Sequence, residues 1–388
     1  MMTIRRVLAL AVAAAVFGSA SPALMAQQNN QQRKDQEKRS QQEQQDIQTM
    51  VRLVDAVMMG QQPAPADIGI TWEYNHFVKG VDGSTYIPFN LTIDRSKLSG
   101  VAPLVPPTTV STTTTTTSSS GQRSTTNSTS TVSISQTGPT VAMYVRVVSK
   151  TPAPPPAAAG KNDKEQRIVY PWDNVHFFEV PESGKVSRAI AVKPGDYEVF
   201  IAVKEATKGN PPRNAPPAKT GLLRRDVTVP DYGKPELATS SVIVANDIQP
   251  VATPLTAQQQ QDSPYTFGTM TVVPSVDQKL KKTSELQVLF WIYGAEVDAS
   301  SKPDVTIDYS FYLKTADGEK YFNKTAPQAL NATTLPAEFS AAAGHQLPGS
   351  LVVPLGSFPA GDYRLEIKIT DKKSTKTLTQ NATFTVES

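Results

Sequence analysis

A chain of 388 residues with no cysteine and a formal charge of +3 is long enough for two or three separately cored domains, none of them held by a disulfide. The missing cysteine excludes thiol catalysis and lipid attachment just after a leader. A charge this close to balance argues against binding to nucleic acid, which needs a concentrated basic face.

Residues 1–26 read as a secretory signal peptide. Arg5 and Arg6 form its basic start, Val7 to Phe17 is an apolar run too short to span a bilayer, and small residues lead to cleavage after Ala26, with Ala20 as the alternative. No later stretch is long and apolar enough for a membrane helix, so the mature chain is expected to be periplasmic or secreted, with no integral membrane segment. Residues 27–66 are a polar, Gln-rich segment followed by an amphipathic helix, with Ile47, Met50, Val51, Val54, Val57 and Met58 on one face and Gly60 and Pro63 as the stop. This helix either stays single, spacing the body from the leader or lying on the first domain, or joins subunits as a short coiled coil. Its stripe covers only about two heptads, fewer than a coiled coil needs, which favours the first reading.

Residues 67–230 are predicted to form a first β-sandwich. Ile70, Trp72 and Tyr74 alternate with polar residues, as do Ile87, Phe89, Leu91 and Ile93. Further strands are expected at Val141 to Val148, Arg167 to Tyr170, Val175 to Val180, Val186 to Val192, along the Tyr197 run, and at Leu222 to Val229. A Thr/Ser-rich insertion at 106–140 has little to bury and is expected to be mostly mobile, with Val132 and Ile134 able to pair its end as a hairpin arm. Proline-rich loops occupy 151–163 and 207–220. Residues 231–388 form a second predicted sandwich after the Pro230 to Pro235 boundary. In it a Gln-rich loop at 257–261 precedes Tyr265 to Val273, and Leu286 to Tyr293, apolar on both faces, reads as a covered central strand. Val305 to Leu313 alternates cleanly and turns back at Asp317-Gly318.

One phrase occurs twice. Pro194-Gly195-Asp196-Tyr197 and, after Pro359-Ala360, Gly361-Asp362-Tyr363 each deliver a tyrosine onto a late alternating strand. This Gly-x-Tyr resembles the tyrosine corner of immunoglobulin-like and fibronectin-type β-sandwiches. The resemblance implies that the hydroxyls of Tyr197 and Tyr363 bond back to the preceding backbone, and that Trp291 is the core tryptophan. The expected class is therefore all-β: two tandem immunoglobulin-like sandwiches behind a signal peptide and a helix. Gly195, Asp196, Tyr197, Gly361, Asp362 and Tyr363 are structural corner residues, the two aspartates capping their own turns.

No Gly-x-Ser-x-Gly elbow, phosphate-cradling loop or His-Glu-x-x-His motif is present, and His76, His176 and His345 are far apart in sequence. No catalytic, cofactor-binding or metal-binding residue is therefore assigned. Asp231, Asp247 and Asp298 are the carboxylates to check for calcium between the domains. The aromatics of the first domain offer a sugar platform as the rival use, with Trp172, read as part of a turn, and Phe200 as candidate ligand-binding residues. The expected function is an exported, non-enzymatic structural or protein-interaction module of the bacterial cell envelope with a protein partner. The alternative is a carbohydrate-binding module that binds a glycan.

Overall fold

The computed structural model describes residues 41–99, 108–117, 123–132, 139–151, 169–206 and 217–388. The expected signal peptide at residues 1–26, the expected extension of the helix toward Arg33, and most of both expected proline-rich loops fall outside these residues. The described chain is mostly β, as the two-residue alternation implies.

The N-terminal half begins with helix α1 at residues 41–58. It continues through β1 (Ile70–Asn75), β2 (Val78–Lys79), β3 (Thr85–Ile93), β4 (Thr108–Thr117), β5 (Arg123–Val132), β6 (Thr140–Ser149), β7 (Trp172–Glu179), β8 (Lys185–Val192), β9 (Gly195–Glu205) and β10 (Thr220–Val229). β3 pairs with β1 and β2 on one side and β8 on the other, and the facing sheet runs β10-β9-β6-β7. Alternate residues of β3, β6 and β9 meet between the sheets: Ile87, Phe89 and Leu91 against Val141, Met143 and Val145, and against Val199, Ile201 and Val203.

The intervening residues of β6 and β9 face the other way, and most of them are apolar too. Ala142, Tyr144, Phe200, Ala202 and Leu222 receive Met50, Val54 and Val57 of α1. The helix is thus a third layer on the sheet, its stripe spent on the body of its own chain. Each fully buried side chain of this kind contributes about 1.5–3 kcal/mol. Buried Lys204 pairs with buried Asp46, and Arg146 pairs with Asp55, so two charge pairs fix the helix's register.

In the Thr/Ser tract the described residues pair as a hairpin arm over a longer stretch than the end expected from Val132, while Ile134 lies outside the described residues. β4 and β5 form a continuous antiparallel hairpin from Thr108↔Val132 to Thr117↔Arg123. Threonine's β-branched stiffness favours extended backbone, which suits two Thr-rich strands to pairing along their length.

The C-terminal half contains β11 (Ala238–Thr239), β12 (Ile243–Pro250), α2 (Ala257–Asp262), β13 (Thr266–Phe267), β14 (Met270–Pro274), β15 (Lys279–Lys281), β16 (Glu285–Tyr293), β17 (Val305–Thr315), β18 (Gly318–Lys324), β19 (Gln328–Leu330), β20 (Leu347–Pro354), β21 (Gly361–Asp371) and β22 (Thr377–Glu387). β16 is flanked by β20 on one side and by β11 and β12 on the other. The facing sheet runs β15-β22-β21-β17-β18, with β19 also on β17. Leu286, Val288, Phe290 and Ile292 of β16 enter the core shared with β17 and β21.

The opposite face of β16 is buried differently. Leu289, Trp291 and Tyr293 join Tyr232, Ile243, Tyr265 and Val272, together with Val78, Tyr74 and Phe77 from the N-terminal half. Trp291 is therefore not the inter-sheet tryptophan that the resemblance implied; it lies in a seam between the halves, because a second body covers that face. The seam is polar as well as aromatic. The Phe77 N–H donates to Ser241 Oγ at 2.8 Å and its carbonyl accepts from the Ser241 N–H at 2.9 Å. The Lys79 N–H donates to the Tyr293 hydroxyl at 3.0 Å, and Tyr86 donates to the Pro264 carbonyl at 2.9 Å. His76 Nδ1 and the Tyr265 hydroxyl are hydrogen-bonded at 3.0 Å.

Candidate functional site

The two repeated phrases take up matching geometry. The Tyr197 hydroxyl donates to the Lys193 carbonyl at 2.9 Å, and that of Tyr363 to the Pro359 carbonyl at 2.8 Å, each four residues back. Gly195 and Gly361 have φ of 149° and 152°, a region open essentially to glycine alone. The aspartates do not cap their own turns. Asp196 accepts from the Thr228 hydroxyl at 2.7 Å and Asp362 from the Thr385 hydroxyl at 2.6 Å, each on the next strand. Extended backbone at these positions points the carboxylate across the ladder, where a threonine stands directly opposite.

The two candidate ligand residues separate. Phe200 is fully buried beneath α1 and is unavailable to any ligand. Trp72 is buried and stacked on Phe89 at 4.6 Å, so the exposed ring platform weighed for a glycan is not formed by these residues. Trp172 is partly exposed. It opens β7 instead of sitting in a turn, since Pro171 sets an extended entry and Trp172 pairs with Val147.

Among the described residues β7 is an edge strand. Trp172, Asn174, His176 and Phe178 stand opposite Val147, Val145, Met143 and Val141, on the face that looks toward β8. A cavity of about 220 Å³ opens there, lined by Trp172, His176, Tyr86, Ile190 and the small side chains Ala189 and Ala191. Gln260 and Gln261 of α2 close it from the C-terminal half. Burial, reinforced by the Arg188 guanidinium and opposed by Asp262, lowers the His176 pKa to about 4, so its imidazole is neutral at pH 7. Arg188 stacks 4.5 Å over the Phe178 ring and lies 3.6 Å from Asp262. The Trp172 indole nitrogen is buried with no hydrogen-bond partner, a donor left unmet at a cost of about 1–3 kcal/mol.

Sequence reasoning missed Tyr86, Gln260 and Gln261 because they come from remote segments. One local signal was available: Thr256 and Gln259 form a capping box, which turns the supposed Gln-rich loop into α2.

The three histidines lie in separate surroundings, His76 against Tyr265, His176 in the cavity, and His345 accepting from the Ser340 N–H at 3.1 Å. Asp231, Asp247 and Asp298 accept from Gly233, Gln249 and Ser300 respectively, and among the described residues no acidic or histidine cluster has metal-binding spacing. No helix among the described residues is long and apolar enough to cross a membrane.

No protein-family model matches the sequence, and no curated protein does. Solved structures with a local likeness include a Salmonella alpha-2-macroglobulin mutant, with 10% identity over 82% of this chain and a TM-score of 0.21. The native E. coli alpha-2-macroglobulin gives 10% identity over 84% and a TM-score of 0.21, and its trypsin-activated form 10%, 84% and 0.20. The chain spans only 16–17% of those proteins' length, and a likeness at this level carries no functional conclusion.

Proposed function

We propose that the chain is an exported, non-enzymatic protein-interaction module of the bacterial cell envelope. In this reading residues 1–26 are its leader, and residues 67–230 and 231–388 are two tandem immunoglobulin-like sandwiches. The mature protein works in the periplasm or outside the cell, and its partner is a protein that adds a strand to β7.

One contrast carries this reading: the edges of the sheets are treated differently. The outer side of β10 is closed by the chain itself at its start, from Thr220 to Leu222. The Ile68 N–H donates to the Thr220 carbonyl at 3.1 Å and the Leu222 N–H to the Pro65 carbonyl at 2.9 Å. Gly221 permits this approach, since a Cβ there would lie 2.2 Å from the Ile68 carbonyl oxygen. β20, at an edge of the C-terminal half, carries Pro348 and Pro354, residues that blunt strand addition. β7 has neither defence. Among the described residues no strand pairs with its outer side, no proline interrupts its eight residues, and its apolar side chains are half exposed.

An open strand edge beside a pocket is the arrangement that binds an extended segment, the backbone giving affinity and the pocket selecting a side chain. The Trp172 cavity is below the range of about 300–1,000 Å³ usual for whole small ligands and suits one inserted side chain.

A photo-crosslinking residue at Asn174 of the full mature chain tests the reading in intact cells, with exposed Arg225 on β10 as control. A discrete protein adduct at position 174, absent at 225 and weakened by Trp172→Ala, is expected. Equal labelling at both positions, or retention on polysaccharide that depends on Trp172, would overturn it in favour of non-specific contact or glycan binding.

A further inference from the structure

A separate cavity of about 360 Å³ lies where the two halves meet. Its walls come from residues 79–81 at the end of β2, residues 292–295 and Val297 at the end of β16, Pro303, and the segment 339–347 leading into β20. It shares no residue with the Trp172 cavity and falls within the usual size of small-ligand sites. Gly294 shapes it. With φ of 66°, it lets the end of β16 approach the Glu236 carbonyl so closely that a Cβ would lie 2.0 Å from that oxygen.

The lining has a definite chemical bias. Val81 and Val297 remain 78% and 43% exposed, a large apolar area left to water beside buried Phe339 and Pro303. Two of its polar side chains are donors, beside the Gln346 amide, which carries both a donor and an acceptor. Lys79 has no carboxylate partner among the described residues, and its ammonium lies 5.9 Å from the centre of the Tyr293 ring. His345 Nδ1 accepts the Ser340 N–H at 3.1 Å, which places the proton of the neutral ring on Nε2 as a second donor. None of the lining residues is acidic.

We propose that this junction cavity binds a small amphiphilic carboxylate. Lys79 and His345 hold the head, and Val81, Val297 and Phe339 cover an apolar body. One cation and one N–H match a single negative charge with two acceptor oxygens better than they match a doubly charged phosphate. This holds whether or not β7 recruits a partner.

The test uses the full mature chain and saturation-transfer NMR with two probe pairs at millimolar concentration. Hexanoate against 1-hexanol represents a free acid, and N-acetylleucine against its amide represents a peptide C-terminus. At least one carboxylate is expected to bind more tightly than its neutral counterpart, and the tighter of the two names the source. Lys79→Gln should weaken that binding about tenfold to a hundredfold, the worth of one charge-assisted hydrogen bond. Ala295→Phe should fill the cavity and abolish it. Near-ultraviolet circular dichroism confirms that both variants keep the native packing. The proposal fails if neither carboxylate binds, if the neutral analogues bind equally, or if both folded variants bind as the parent does.

Discussion

Mild acid should loosen this protein, and most directly at His76. Its imidazole packs edge-on against both Tyr74 and Tyr265, with ring centroids at 5.4 and 5.6 Å, and is hydrogen-bonded to the Tyr265 hydroxyl. Burial lowers its pKa from 6.5 to about 4. Above pH 6.5 the imidazole is neutral in both the folded and unfolded chain, and its contribution is constant. Between pH 6.5 and about 4 only the unfolded chain takes up the proton, so stability falls as pH falls. Below about 4 both states are protonated and the loss is complete. A shift of this size corresponds to about 3 kcal/mol in all, of which about 2 kcal/mol is lost between about pH 7.5 and pH 5. Urea unfolding followed by tryptophan fluorescence at those two pH values measures the loss. His76→Gln, which stays neutral, should reduce the difference by about 2 kcal/mol, leaving what His176 and other groups contribute. A variant with the same pH dependence as the parent, or an NMR titration of His76 centred near 6.5, would refute the reasoning.

Removing either corner hydroxyl by Tyr197→Phe or Tyr363→Phe should cost about 0.5–1.5 kcal/mol in urea unfolding, since each hydrogen bond is partly buried and the ring is kept. A null effect at both positions would show that the corners do not stabilise the fold. Phe200→Ala should cost about 3–5 kcal/mol and free α1, because the ring is fully buried between sheet and helix. Proteolysis of the α1 segment in the folded variant, set against its protection in the parent, reports that release.

Local alternation made much of the fold legible. The twin Gly-Asp-Tyr phrases could be read because tight turns and strand periodicity are written within a few residues. The doubly apolar run at Leu286 to Tyr293 likewise announced a strand covered on both faces. What local pattern does not encode is which body covers the second face. Phe200 and Trp291 each oppose the inter-sheet face of their strand. A sequence reading assigns such a ring to solvent or to the wrong core, yet α1 covers the first and the N-terminal half the second. The Trp172 cavity was hidden for the same reason, since Gln260 reaches it from far along the chain. The aspartate–threonine bonds were missed because they depend on register between neighbouring strands, which the sequence of one strand does not specify.

The mutual bonding of Phe77 and Ser241 has a consequence for the peptide link near Gly233. With main-chain groups of one half satisfied by the other, and rings from both interleaved beside them, the covalent connection is not what keeps the halves in company. A protease nick at Gly233 should leave two fragments that still co-elute. Two polypeptides ending and beginning there should find each other when produced in the same compartment, whereas either alone would present a sticky, half-satisfied surface to its neighbours.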